Sequence, residues 1–530
     1  MDPGPVGGQV DRGNSADAPL ALAASTASDI WQVLAPAAQY ITPLALAVRE
    51  VCRPGSAAAR RGTFALGIDA RMWLEDCKFA LSPRSAHEGM LHMAFLSLLS
   101  LQETSATAVF VGNENLNIEL DSLAHAGQPG RLGSHAKLSE LLRELVAAFG
   151  FYWHEAPGSI AASLAGLNVS GAVDAVVTPS PNPFAFGARV AMRSLGSALT
   201  CVAVYTSVAV TERVQLSHGG HLLIALLQDV ARSQSVQAGL AAMDMPTAVA
   251  LARSGLGDAL LISRNEPRHA LDAFLVRWRL RLQHVLGEDP DNILAMPRPD
   301  LARALPPAFP RPAAVLAFAP AVTVGASFRP RRIHLAALAS MCTYLFDWPE
   351  ARAIEAKFRT ALWPACLTRD LMVSNAARSE TTPDAPGSSP PSPALPALDG
   401  GQLAGDDDDD GMVDATMEVC RLHLGSVGEG GADIDAYRVT FSPTSYGEAT
   451  RAGLHALHFG DVADTLNDDT VQVPMRTWVP CAVLQAACPE LVAHFEDGRL
   501  PEASYRPYDV DSDEIIVPSH IEGLLIDLTD

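Results

Sequence analysis

The sequence predicts an α/β protein: a largely parallel sheet, a helical domain beside it and a small C-terminal α+β module. Three observations carry that expectation. In the first, residues 29 to 207 alternate short apolar runs, "TFALGIDA", "ATAVFVG", "AVDAVVT" and "ARVAMRS", with helical stretches such as "HAKLSELLRELVAAFGF". Alternation of this kind builds parallel strands joined by crossover helices. In the second, the pattern from about 212 to 373 turns helical, through "GGHLLIALLQDVA", "ALDAFLVRWRLRLQHVL" and "RIHLAALASMCTYLF". In the third, a stretch dense in Pro, Gly, Ser and Asp and free of aromatics separates this part from two strand-like runs and a terminal helix.

These shifts set the boundaries. Residues 1–28 are a flexible extension, 29–207 the α/β domain, 208–375 the helical domain, 376–411 a disordered linker, 412–500 the α+β module and 501–530 an acidic tail. The linker holds too little apolar surface to offset the entropy of ordering it. Within the α/β domain, Leu141, Leu142, Leu145 and Phe149 recur at helical spacing, while Glu140, Arg143 and Glu144 take the wet side. No internal repeat is present.

Composition excludes several classes. A chain of 530 residues that is 48% hydrophobic can bury several cores. Its formal net charge of -22 and isoelectric point near 5.0 oppose general attraction to phosphate backbones, although a local basic patch could still bind one. The eight cysteines are scattered without a CxxC pair or zinc-like His spacing, which fits buried thiols in a reducing compartment. The N-terminus has acids and no basic flank before its apolar run, so it makes a poor signal peptide. With no apolar run of membrane length, an intracellular soluble protein without membrane contact is expected, and the sequon at Asn168 is accidental.

Other features have bland readings. His218 and His221 stand at i and i+3, but Gly219 and Gly220 between them disfavour a helix and no third ligand is evident. The acidic run 406–410 reads as a solvated spacer. Arg277, Arg279 and Arg281 are spread around a helix and form no stripe. The tail is more specific: "DSDEIIVP" sets Ile515, Ile516 and Val517 after acids, and "LLIDLTD" sets Ile526 and Leu528 around Asp527. Both resemble SUMO-interacting motifs, in which a short strand adds to a partner's sheet edge and acids meet basic residues there.

Read in order, "DIWQVLAPAA", "GIDARMWL", "AVFVGN", "LLRELVAAFGFYWHEAPGSIAASLAGLNVSGAVDAVVT" and "FAFGARVAMRS" resemble the N- and I-regions of the XPG/flap endonuclease family. The segment around "PTAVALARSGLGDALL" is similar to that family's helix-two-turn-helix, and later segments resemble extensions of fungal Holliday-junction-resolvase members. The resemblance implies a PIN-like, doubly wound sheet. Its strand ends would gather carboxylates around two divalent metals that polarise a phosphodiester and activate water.

The sequence departs from the family where that chemistry would sit. Asp69 keeps the first acid. Val111 stands at the second, Ser159 and Ala161 replace two glutamates, Pro179, Ser180 and Asn182 stand where aspartates belong, and Ala231 aligns with a later acid, two positions from Asp229. Asp174 matches a family position of structural role. Between residues 101 and 187 only Arg131, Lys137 and Arg143 face eight acids, and the helix-two-turn-helix keeps Gly239 but places Ala242 and Asp244 at later glycine positions. The resemblance with these losses implies a catalytically impaired, nuclear binding or scaffold protein of repair and recombination, a pseudoenzyme with no cofactor expected. SUMO or SUMO-modified proteins would be partners, with DNA binding weakened. The rival expectation is an active endonuclease that uses Mg to cut flaps or Holliday junctions, and a third is an RNA-associated regulator.

Overall fold

A computed structural model of the chain describes residues 30–79, 88–126, 137–194, 201–232, 243–321, 326–346, 351–381, 418–426, 433–455 and 473–496. The linker from 382 onward and the tail motifs at Ile515, Ile516, Val517, Ile526 and Leu528 lie outside the described residues.

The four apolar runs of the first half form β2 (Phe64–Asp69), β3 (Ala106–Asn113), β5 (Ala175–Val177) and β6 (Val190–Ser194). They are joined by β1 (Gln39–Ile41), β4 (Tyr152–Ala156) and β7 (Val202–Thr206) in one seven-stranded sheet ordered β1-β7-β6-β5-β2-β3-β4. Strands β6, β5, β2, β3 and β4 run parallel, and β7 pairs antiparallel with both β6 and β1. β2 and β3 are buried on both faces, which is why they read as continuous apolar runs.

Helices cover both faces. Phe64, Leu66, Ile68, Ala108 and Phe110 point into a core shared with helices Pro43–Cys52, Glu88–Gln102, Leu138–Ala148, Leu335–Phe346 and Trp363–Thr381. Ala65, Val109, Val111 and Val176 point to the other face, against helices Ile160–Val169, His218–Arg232, Met245–Arg253, Leu256–Ser263 and Arg268–Glu288. The helical stretch read from sequence as one unit from 208 to 375 is therefore divided between the two faces. The boundary at 376 also shifts, because helix Trp363–Thr381 continues past it.

That helix anchors the C-terminal part. Arg369, 2% exposed, donates to the Gln102 side chain at 2.6 Å and the Ala106 carbonyl at 3.2 Å, and its guanidinium lies 5.0 Å from the centre of the Phe151 ring. On its other side, Leu367 and Leu371 pack with Tyr437, Val439, Phe441 and Val479 of β9 (Asp433–Phe441) and β10 (Met475–Pro480). β8 (Glu418–Ser426), β9 and β10 form a three-stranded antiparallel sheet. The terminal helix expected after β10 is two, Cys481–Ala487 and Pro489–Glu496, broken at Cys488 before a proline that cannot donate to a continuing helix.

Contrary to expectation, a helix forms at His218 despite its two glycines. Helix His218–Arg232 starts at that residue and contains both glycines. A Cβ on Gly219 would lie 2.4 Å from the Asp258 amide nitrogen, and one on Gly257 would lie 2.0 Å from the Gly219 carbonyl. Two helices cross here at backbone contact, and packing of their flanks outweighs a propensity cost of about 1 kcal/mol per glycine.

Candidate functional site

The sheet changes winding direction at β2. The chain moves from β2 outward through β3 to β4, then returns to β5 on the other flank of β2 and continues to β6. Ligands of doubly wound sheets bind at such a switch point, at the carboxyl ends of the strands. Asp69 is the last residue of β2.

Asp69 pairs in register with Val111, and Val111 with His154 on β4. Ile68 pairs with Val177, so Asp69 and Thr178 follow side by side. Thr178, Asp69, Val111 and His154 thus form a row across the strand ends. The sequence-selected positions Ser159, Ala161, Pro179, Ser180 and Asn182 border this row in the first turn of helix Ile160–Val169 and the turn after β5. Ala231 lies instead near the end of helix His218–Arg232.

Asp69 and its polar neighbours at the strand ends act as helix caps. Asp69 Oδ1 accepts from the Arg71 and Met72 amides at 3.0 and 3.4 Å, which makes it the N-cap of helix Ala70–Phe79. Burial pushes its carboxyl above the usual range, against those two amides and the nearby Arg71 charge. Asn113 Oδ1 caps the next helix through the Leu116 amide at 3.0 Å, and Ser159 Oγ accepts from Ala162 at 3.4 Å. Val111 is fully buried. His154 has its pKa lowered by burial, partly opposed by Glu155.

The proline-rich turn holds itself by hydroxyls and backbone. Thr178 Oγ1 donates to the Ser180 carbonyl at 3.0 Å, and Ser180 Oγ accepts from the Asn182 amide at 3.3 Å. The Pro179 carbonyl accepts from Trp31 Nε1 at 2.7 Å, which fastens the first described helix to this turn. Pro181 precedes the one-turn helix Asn182–Ala185. Beyond it, His218 Nε2 lies 3.1 Å from the Ala185 carbonyl. His221 stacks on Phe184 with ring centres 5.1 Å apart, and burial pushes its pKa down to about 4. These two histidines brace the turn. Sequence reasoning missed this role, His154 and Trp31; the aromatic pair that opens "YWHEA" was the available signal for β4.

Asp174 is structural. Its carboxylate accepts from the Ala65 amide at 2.8 Å and pairs with Arg61. Asn168, 4% exposed, donates to the Val173 and Asp174 carbonyls and accepts from the Arg189 and Val190 amides, so the sequon is locked inside the fold. Asp244 caps helix Met245–Arg253 through Thr247 at 2.8 Å and pairs with Arg298 at 3.3 Å.

Hard divalent cations take several oxygen ligands, predominantly carboxylates in a protein-built site. The row offers one carboxylate with an oxygen already used as a cap, and its neighbours are valine, alanine and hydroxyls committed to the turn. Among the described residues, no three His, Cys, Asp or Glu side chains are placed to hold a metal. This donor set does not fit a magnesium pair.

No protein-family model matches the sequence, and no curated protein matches it. Solved structures do. A eukaryotic junction-resolving enzyme GEN-1 with sodium superposes with a TM-score of 0.60 at 18% identity, covering 89% of this chain and 98% of that one. The Holliday junction-resolving enzyme GEN1 with product DNA and Mg2+ gives 0.59 at 18% over the same shares. Human GEN1 with Holliday junction DNA gives 0.50 at 16%, over 90% and 98%. The chain thus shares the α/β fold of these junction-resolving enzymes, as the XPG/flap resemblance leads one to expect.

Proposed function

We propose that this chain is a nucleic-acid-binding scaffold built on a junction-resolving nuclease fold, with the strand-end site given over to structure. The observation that carries the reading is the pairing of Asp69 with a fully buried Val111. A carboxylate at 111 would complete a ligand pair, whereas valine there extends the apolar core under the site. Asp69 then serves as a helix cap. The neighbours named above act on or bind Holliday junctions, which supports branched DNA as the partner and a nuclear role in recombination or repair. The aliphatic-acidic tail around Ile515, Ile516, Val517, Ile526 and Leu528 supports docking to SUMO-bearing proteins through strand addition.

The test is incision of labelled flaps and four-way junctions with Mg2+ or Mn2+. The expected result is no cutting above background and no change on Asp69→Ala. Robust incision abolished by that substitution would establish the rival, an active metal-dependent endonuclease.

A further inference from the structure

The chain carries 60 acids in 530 residues, yet residues 301 to 346 contain none and hold five arginines: Arg303, Arg311, Arg329, Arg331 and Arg332. Three of the five fall within four positions of "FRPRRIH", and all three are exposed. This segment lies along β4, the edge strand of the seven-stranded sheet.

Its backbone is fastened at three points and its Phe328 side chain at a fourth. The Arg329 carbonyl accepts from Tyr152 Oη at 2.9 Å, and the His334 amide donates to the Ala148 carbonyl at 2.8 Å. Phe328 packs edge-on against Tyr152 at 5.0 Å. The Arg331 and Arg332 carbonyls approach Gly150 so closely that a Cβ there would lie 2.6 and 2.8 Å from them, and Gly150 has φ +74. Only glycine admits this contact. The Arg331 guanidinium lies 3.9 Å from the centre of the Tyr152 ring. Arg332 meets the mostly buried Asp370 at 3.6 Å while half its side chain stays exposed. A fixed backbone thus carries three arginines beside the start of β4, Arg331 over Tyr152, Arg332 at Asp370 and Arg329 with Nη1 3.5 Å from the Ala376 carbonyl, away from the strand ends that carry Asp69.

We infer that residues 327–334 form a strap that binds the phosphate backbone of a nucleic acid, separate from the switch-point site. Planar guanidinium groups pair with phosphate oxygens through two parallel hydrogen bonds. A protein of strongly negative overall charge that binds such a polymer requires a local concentration of this kind, because its average field repels it. The proposal rests on the reading above only for the partner's class.

The test is fluorescence anisotropy of the full-length chain with a labelled four-way DNA junction, a linear DNA duplex and a single-stranded RNA, over a salt series. Each phosphate contact contributes about 0.9 to the slope of log affinity against log salt for duplex DNA. The expected result for Arg329→Ala/Arg331→Ala, which spares the Arg332–Asp370 pair, is a slope reduced by about 1 to 2 and affinity lowered about tenfold or more. Arg331→Lys keeps most of the affinity, and Arg268→Ala, on an exposed helix face elsewhere, changes neither quantity. The responding probe identifies the nucleic acid. A folded double variant with wild-type affinity and slope overturns the strap, as does absence of binding to all three probes at low salt. Incision measured on the same samples decides the proposed function separately, since cutting with a strap-dependent slope would refute that reading and leave the strap standing.

Discussion

Asp69 and Val111 stand side by side at the ends of two adjacent parallel strands, one a helix cap and the other part of the core. A metal ligand is held by its ion; a cap is held by the amides it receives. The two roles respond differently to substitution.

As a cap, Asp69 tolerates Asn and not Ala. Asp69→Ala is expected to cost about 1 kcal/mol, the usual loss of an N-cap. Asp69→Asn keeps an acceptor oxygen and removes a charge that burial disfavours. Because the folded pKa lies above the unfolded one, the carboxyl favours folding most below its unfolded pKa, and that contribution is lost as pH rises through the folded value. Asp69→Asn is therefore expected to be at least as stable as the parent at pH 7, with its relative advantage shrinking below about pH 4. Urea unfolding at both pH values checks the sign.

The hydrogen bond from Trp31 Nε1 to the Pro179 carbonyl ties the first helix to the turn. Trp31→Phe keeps an aromatic ring and removes the donor, at an expected cost of about 1 kcal/mol. Hydrogen exchange is expected to quicken at the amides of Phe184 and Gly187, which close the same turn.

His221 gives the fold an acid-sensitive brace. Its folded pKa of about 4 lies below the unfolded value, so its contribution is present above about pH 6.5 and is lost as pH falls toward 4, at up to about 1.4 kcal/mol per pH unit. His221→Phe, stacked on Phe184, is expected to flatten the stability profile across that window. Thermal melts at half-unit pH steps measure it, and parallel profiles for both proteins would refute the assignment.

Gly219→Ala and Gly257→Ala each improve helix propensity, yet both are expected to destabilise by about 1–3 kcal/mol because the added methyl overlaps the facing backbone. A rise in melting temperature for either would contradict the helix crossing.

Much of the architecture was legible in the sequence because β2, β3, β5 and β6 are buried and announce themselves as apolar runs. β1 and β7 were not, the first being three residues long and half exposed. β4 was hidden because an edge strand with one half-buried face reads as "YWHEA". The glycines of helix His218–Arg232 misled because local propensity carries no information about the helix they touch. The division of the later helices between two faces depends on contacts hundreds of residues apart, such as Arg369 with Gln102. At the candidate site, Val111 comes out beside Asp69 because strand order and register place it there, with Pro179 and Ser180 following in the turn after β5 and Ser159 capping the helix after β4; that Thr178, Trp31, His218 and His221 support the same turn needed the tertiary structure.

The central claim, that the strand ends hold no divalent-ion pair, is tested most directly by Mn2+ titration followed by electron paramagnetic resonance, comparing the parent chain with Asp69→Asn. The two binding curves are expected to coincide, any ions taken up by acidic runs elsewhere being common to both. Uptake of about two tightly held ions per chain that vanishes in Asp69→Asn would contradict it.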